Sequence, residues 1–208
     1  MSNTMVRSGR PRKSQIKDNI VEAMAELVAE HGYASVTLDQ VVTRAGSNKP
    51  AFYRRFRHLA DVVPHILASR HGTDEDIDTG SLVGDLIEVQ RRQYRLFTDP
   101  VITRGLTGWL AHVDSDPEVG APFFRDYLIP RRAYTRVILD RARNRGEVTA
   151  DVDANWIADL LTGPLFMRAV MPGLPPIDSA LIAQSIHAAL DSVGFHGNRP
   201  NIERLIAG

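Results

Sequence analysis

The 208-residue sequence contains no cysteine, which excludes disulfides and thiolate metal sites. No apolar run approaches the roughly 18 residues that a membrane span requires. Residues 1–13 are polar and basic, with no apolar stretch directly behind them, unlike a secretory signal. A soluble chain in the cytoplasm is expected. Lysine is scarce, with Lys13, Lys17 and Lys49 set against an abundance of arginine, a bias that a GC-rich genome also produces and that carries no functional weight. Catalytic signatures are missing as well. The seven histidines show no HExxH or comparable metal spacing, and there is no GxSxG elbow, GxGxxG turn or phosphate loop. Carboxylates are plentiful but form no recognisable constellation. These absences argue against an enzyme, a resident cofactor and a bound metal.

What is present is enough for a core, since 43% of the residues are hydrophobic. The net charge of zero hides a split. Residues 1–60 carry ten basic and five acidic residues, and the remainder carries 15 basic and 20 acidic ones. A basic end on an acidic body points to nucleic-acid binding at that end.

Along the chain, residues 1–13 lack apolar periodicity and read as a flexible basic arm. Arg7, Arg10, Arg12 and Lys13 either follow the minor groove of DNA or belong to a disordered tail. Ile20, Met24, Leu27 and Val28 have the spacing of one buried helical face, which predicts a helix over 14–31 that ends at Gly32. Thr37 and Gln40 have capping-box spacing at the start of a second helix, whose apolar face is Leu38, Val41 and Val42. Ala45-Gly46 ends it. Ser47 or Asn48 caps a third helix over 48–56, with Pro50 in its first turn. Further helices are expected near 59–70, 81–98, 101–114, 118–145, 153–171 and 178–194, kinked or broken at Pro64 and Pro130. The stretch 71–80 (HGTDEDIDTG) reads as an acidic linker, and no convincing strand pair occurs. The fold class is all-α.

Two short helices joined by a glycine turn behind a longer one make a helix-turn-helix over 37–56. In such a unit the last helix enters the major groove and the one before it crosses the backbone. Phe52 and Phe56 anchor the expected recognition helix, and its other sides present Lys49, Ala51, Tyr53, Arg54 and Arg55. Those are cations and a hydroxyl for phosphates, with small groups beside base edges.

The arm GRPRK (9–13), the stretch GYASVTLDQVVTRAG (32–46) and KPAFYRRF (49–56) resemble the arm and DNA-binding domain of TetR-type repressors. RARNRGEVTADVD (141–153), followed by two helices, is similar to one branch of that family's C-terminal domains. The resemblance implies an arm at 1–13, a three-helix DNA-binding domain at 14–58 and a helical ligand-binding and dimerisation domain at 59–208. It implies phosphate contacts at Thr37 and Tyr53 and a groove-facing segment of Ser47, Asn48, Lys49, Ala51 and Phe52. Arg57 and His58 match the start of the following helix, where a phosphate contact is common. With Arg54, these form the expected DNA-binding set. Pro50 and Arg55 depart from the family's usual small residue and its usual Tyr or His, which leaves the operator sequence open.

In the C-terminal body Phe97, Trp109, Phe124, Tyr127 and Phe166 either pack a plain core or line a cavity for a small molecule, with Arg104 and His112 as polar candidates. The apolar faces of the last two long helices, including Trp156, Leu160, Leu161, Leu181 and Leu190, pack within one chain or, as the resemblance implies, across a two-fold dimer. The expected function is a homodimeric repressor on a near-palindromic double-stranded operator, released by an unidentified small-molecule ligand. The alternatives are a small-molecule-binding module or enzyme whose DNA domain does not function, and a ligand-free DNA-binding activator or architectural protein.

Overall fold

The computed structural model describes residues 12–207, with side chains from Gln15 to Ile206. It is built from helices, and among the described residues the only β pairing is an isolated bridge between Val148 and Phe195. Helix α1 spans Arg12–His31, α2 Leu38–Arg44 and α3 Lys49–Tyr53. The basic arm expected at 1–13 lies outside the described residues, except that Arg12 and Lys13 already belong to α1. A core of Ile20, Met24, Leu27, Val41, Phe52 and Phe56 binds these three helices together.

Helices α4 (Val63–His71), α5 (Leu82–Thr98), α6 (Pro100–Ser115), α7 (Pro117–Phe123), α8 (Ile129–Asn144), α9 (Ala154–Val170), α10 (Ser179–Ser192) and α11 (Ile202–Ala207) form the body. Their core is a second cluster that includes Leu86, Ile138, Ile157, Leu161, Ile186 and Leu190. A third, small cluster of Ala60, Trp109 and Val119 joins the two, with Tyr33, Val63 and Leu106 packed on it. Much of the acidic excess of the body serves as helix caps. The carboxylates of Asp99, Asp116, Asp153 and Asp178 each accept a backbone N–H at the start of α6, α7, α9 and α10. A carboxylate there satisfies an orphan donor and complements the positive end of the helix dipole.

Three segments differ from the sequence reading. The stretch 59–70 divides into a 3-10 turn, Leu59–Val62, and α4, so that Pro64 sits in the first turn of α4, where its missing N–H costs nothing. The stretch 118–145 becomes α7, a π segment at Phe124–Leu128, and α8. Pro122 and Pro130 each remove a donor from the helical ladder, and between them the backbone widens until Ile129 N–H reaches Phe124 O. The expected linker at 71–80 is not a loose connection. Its Asp74 and Ile77 are buried, and Arg92 of α5 ties it down through Asp76 at 2.6 Å.

Candidate nucleic-acid interface and buried cavity

The first candidate site is the outer face of α2 and α3. Thr37 caps α2 in a full capping box: Gln40 N–H donates to Thr37 Oγ1, and Thr37 N–H donates to Gln40 Oε1 at 2.8 Å. Asn48, not Ser47, caps α3 by accepting Ala51 N–H at 2.9 Å. Gly46 makes the turn between them at φ 59°, a left-handed conformation that a Cβ penalises. The recognition helix is therefore five residues long, shorter than the span 48–56, because Arg54 already caps its C-terminus.

Tyr53 is 60% exposed, with its ring edge against Phe52, and Thr37, Asn48, Lys49, Arg54, Arg57 and His58 are exposed as well. Two residues of the expected contact set are corrected. Ala51 is 4% exposed and Phe52 1%, since both point inward and Phe52 stacks against Phe56 with ring centroids 5.4 Å apart. They hold the helix and present no side chain to a groove. Ser47 is half-buried, and its hydroxyl has no hydrogen-bond partner among the described residues. Lys49 Nζ meets Asp39 Oδ1 at 2.9 Å across the α2–α3 turn, and that hydrogen bond raises the lysine pKa. The carboxylate thus holds Lys49 charged and aimed along the same face.

The second site is a cavity of about 280 Å³ inside the body. Its walls come from α4 to α9, the π segment and the segment before α5. Of the expected lining, Phe97, Trp109, Phe124, Tyr127 and Phe166 are all present. Arg104 is not, and this too is a correction. Its guanidinium lies outside, donating to Ala29 O and Glu30 O at 2.8 and 3.1 Å, where it caps the C-terminal end of α1. His112 is likewise elsewhere, with its Nδ1 2.7 Å from the Tyr33 hydroxyl. Burial, with Asp61 nearby, pushes the pKa of that tyrosine up to about 12.

Sequence reasoning missed Asp74, Gln93, Thr162 and Arg131. Asp74 Oδ2 and Arg131 Nε form an ion pair at 2.9 Å, with both side chains buried, and Arg131 Nη1 donates to the Tyr127 hydroxyl at 2.8 Å. Burial raises the Asp74 pKa, against the pull of Arg131 and Arg92. Gln93 Nε2 donates to Thr162 Oγ1 at 3.0 Å, joining α5 to α9 across the cavity. Gln93 was legible in principle, as a polar residue in the stripe Val89-Gln93-Phe97 of an otherwise apolar face. Asp74 and Arg131 lie too far apart in sequence to announce their pairing.

Helix α6 serves both sites. Ile102, Leu106, Trp109 and Leu110 line the cavity. The edge that meets the N-terminal helices includes Val101, Arg104 and Gly105, and a Cβ on Gly105 would lie 2.5 Å from Val28 Cγ1 of α1. Gly108 lies beside Tyr33 and Ala34 with ordinary van der Waals room for a Cβ, which would stand 3.5 Å from Ala34 N.

Comparison with known proteins places both halves of the chain. Residues 20–63 match the model of bacterial regulatory proteins of the tetR family, and residues 76–189 match that of the tetracyclin repressor-like C-terminal domain. The chain is 28% identical to the DNA-binding transcriptional repressor TetR of Mycobacteroides abscessus, over 89% of this chain and 95% of that one. It is 26% identical to the HTH-type transcriptional regulator YdeS of Bacillus subtilis, over 79% of this chain and 83% of the relative. The solved TetR family transcription regulator SCO0332 superimposes with a TM-score of 0.68 at 24% identity, covering 86% of this chain and 98% of that one.

Proposed function

We propose that this chain, which belongs to the TetR family of bacterial transcriptional regulators, is a homodimeric repressor released from DNA by a small molecule held in the cavity of its body. The family is one of DNA-binding regulators of the repressor type, which are not enzymes. Among the described residues no helix is long and apolar enough to cross a membrane.

One observation carries the ligand-responsive reading: α6 walls the cavity on one side and on the other packs Gly105 directly onto the Val28 side chain of α1. A ligand that displaces Leu106 or Trp109 moves a helix whose opposite edge has no slack, so α1 and the recognition helix move with it. Ligand and operator then weaken each other's binding reciprocally, by roughly 1–3 kcal/mol of coupling. The Tyr33–His112 and Arg104–α1 hydrogen bonds add polar ties along the same seam.

Dimerisation is supported by a stripe on α9 that its own chain leaves uncovered. Trp156 is 53% exposed and Met167 47%, and the half-buried Leu160 and Gly163 complete the same helical face. Ile157, Leu161 and Leu165 on the other face are buried within the chain, as are Ile182, Ile186 and Leu190 of α10. A two-fold pairing through the uncovered stripe sets two recognition helices about one turn of DNA, or a multiple of it, apart. On this reading Thr37, Asn48, Lys49, Tyr53, Arg54, Arg57 and His58 contact the operator.

The test is fluorescence anisotropy of the purified protein on DNA flanking its own gene, against scrambled DNA, at two salt concentrations. Selective binding that weakens as salt rises is the expected result, because phosphate contacts release counterions. Equal, weak binding to both DNAs, repeated on a genomic library of fragments, would leave the body as a small-molecule-binding module without an operator.

A further inference from the structure

The cavity walls carry more hydrogen-bonding capacity than an apolar filling can use. Among the described residues, Asp74 Oδ1, Gln93 Oε1, Trp109 Nε1 and Arg131 Nη2 are buried without a hydrogen-bond partner, and all four residues line the cavity. Asp74 Oδ1 still has Arg92 Nη1 at 3.9 Å. That leaves one acceptor, Gln93 Oε1, and two donors, Trp109 Nε1 and Arg131 Nη2. Each of these three residues is more than nine-tenths buried. Nor are Gln93 and Arg131 free to turn away. Gln93 is held through Nε2 by Thr162, and Arg131 through Nε and Nη1 by Asp74 and Tyr127. Buried polar atoms without partners are few in native proteins, and three of them on residues of one cavity wall become available to a molecule that widens the cavity toward them.

Charge narrows the partner. Arg131 is cancelled by Asp74, and Arg132, the other cationic wall residue, by Asp159 at 2.7 Å. A ligand anion would enter a wall whose cations are already paired, beside the Asp74 carboxylate. A ligand cation would likewise find its only buried counter-charge engaged. Either leaves an uncompensated charge against a largely apolar wall. Size and shape narrow it further. The volume is about twice the ~150 Å³ of an apolar cavity that accepts one benzene. Aromatic rings form much of the surface, with Trp109–Phe123 and Phe97–Phe166 both packed edge to face.

We infer that the cavity takes an uncharged, planar molecule of about two fused rings, carrying an acceptor for Trp109 Nε1 or Arg131 Nη2 and a donor for Gln93 Oε1. This rests on the reading of the cavity as the effector site and specifies the chemistry of the effector.

Three probes of matched shape test it by calorimetric titration of the full chain: 2-naphthamide, 2-naphthoate and naphthalene. The amide is expected to bind at least tenfold more tightly than either of the others. Gln93→Leu and Trp109→Phe, made separately, should each lower the affinity for the amide by a larger factor than the affinity for naphthalene, so that the gap between the two probes closes. A preference for naphthoate or naphthalene, or an amide affinity untouched by both substitutions, overturns the proposed class while the cavity stands as a ligand site. If none of the three binds the parent protein, the cavity fails as a ligand site as well.

Discussion

Tyr53 is the residue on which the DNA-binding reading is most exposed to test, because its side chain is free to reach a phosphate and contributes little to the fold. Tyr53→Phe removes only the hydroxyl. With about 1 kcal/mol for the lost hydrogen bond, affinity for one half-site should fall about fivefold in anisotropy, with the melting temperature unchanged. Thr37→Ala acts differently, since it takes away one side of a capping box. A loss of about 1 kcal/mol in thermal unfolding is expected along with weaker DNA binding. His71 governs a separate property. Burial lowers its pKa, against the opposing pull of Asp99 at 3.1 Å. The unfolded chain therefore binds the proton more readily than the folded one, and stability falls as pH drops below the ordinary histidine value of about 6.5. His71→Gln should lose less melting temperature between pH 7.5 and 5.5 than the parent does. An equal loss in both proteins would assign the pH sensitivity to other groups, such as His65, whose pKa burial also lowers.

At the scale of the element, α6 makes the sharpest claim. Gly105→Ala places a methyl against Val28, a stiff β-branched neighbour that cannot rotate clear. Overpacking of this kind costs about 1–3 kcal/mol, read as a lower melting temperature. The parting of α6 from α1 should also blunt the response of DNA binding to ligand. Most helices were legible because their signals are local: the spacing of Ile20, Met24 and Leu27, the Thr37–Gln40 box, the Gly46 turn. Where the reading failed, the cause was distant or collective. Whether 118–145 is one helix or three depends on how Pro122 and Pro130 together shift the backbone between them, which neither residue specifies alone. Arg104 could not be separated from a cavity residue by its neighbours in sequence, because its partners are carbonyls of α1 some 75 positions away. Asp74 looked like linker because its segment is acidic. Its burial depends on Arg131 and Arg92, which reach it from α8 and α5.

For the molecule as a whole, the proposed dimer rests on the uncovered stripe of α9. Trp156→Glu combined with Met167→Glu changes only exposed positions, so helical content by circular dichroism should hold while sedimentation shifts to the mass of one chain. Operator affinity should then drop by more than tenfold, since joining two half-sites through a dimer raises avidity without adding contacts. A double variant that still sediments as a dimer would move the interface elsewhere. The cavity has two kinds of wall. The α6 wall also packs on the DNA-binding helices, whereas Val89, Phe97, Thr135, Ala158 and Phe166 belong to α5, α8 and α9. If the cavity is the effector site as proposed, a library that randomises those walls and spares Trp109, Gly105 and Gly108 should change what is sensed without rewriting how the signal leaves. On the proposed reading, the two edges of one helix divide the protein into a replaceable detector and a fixed output.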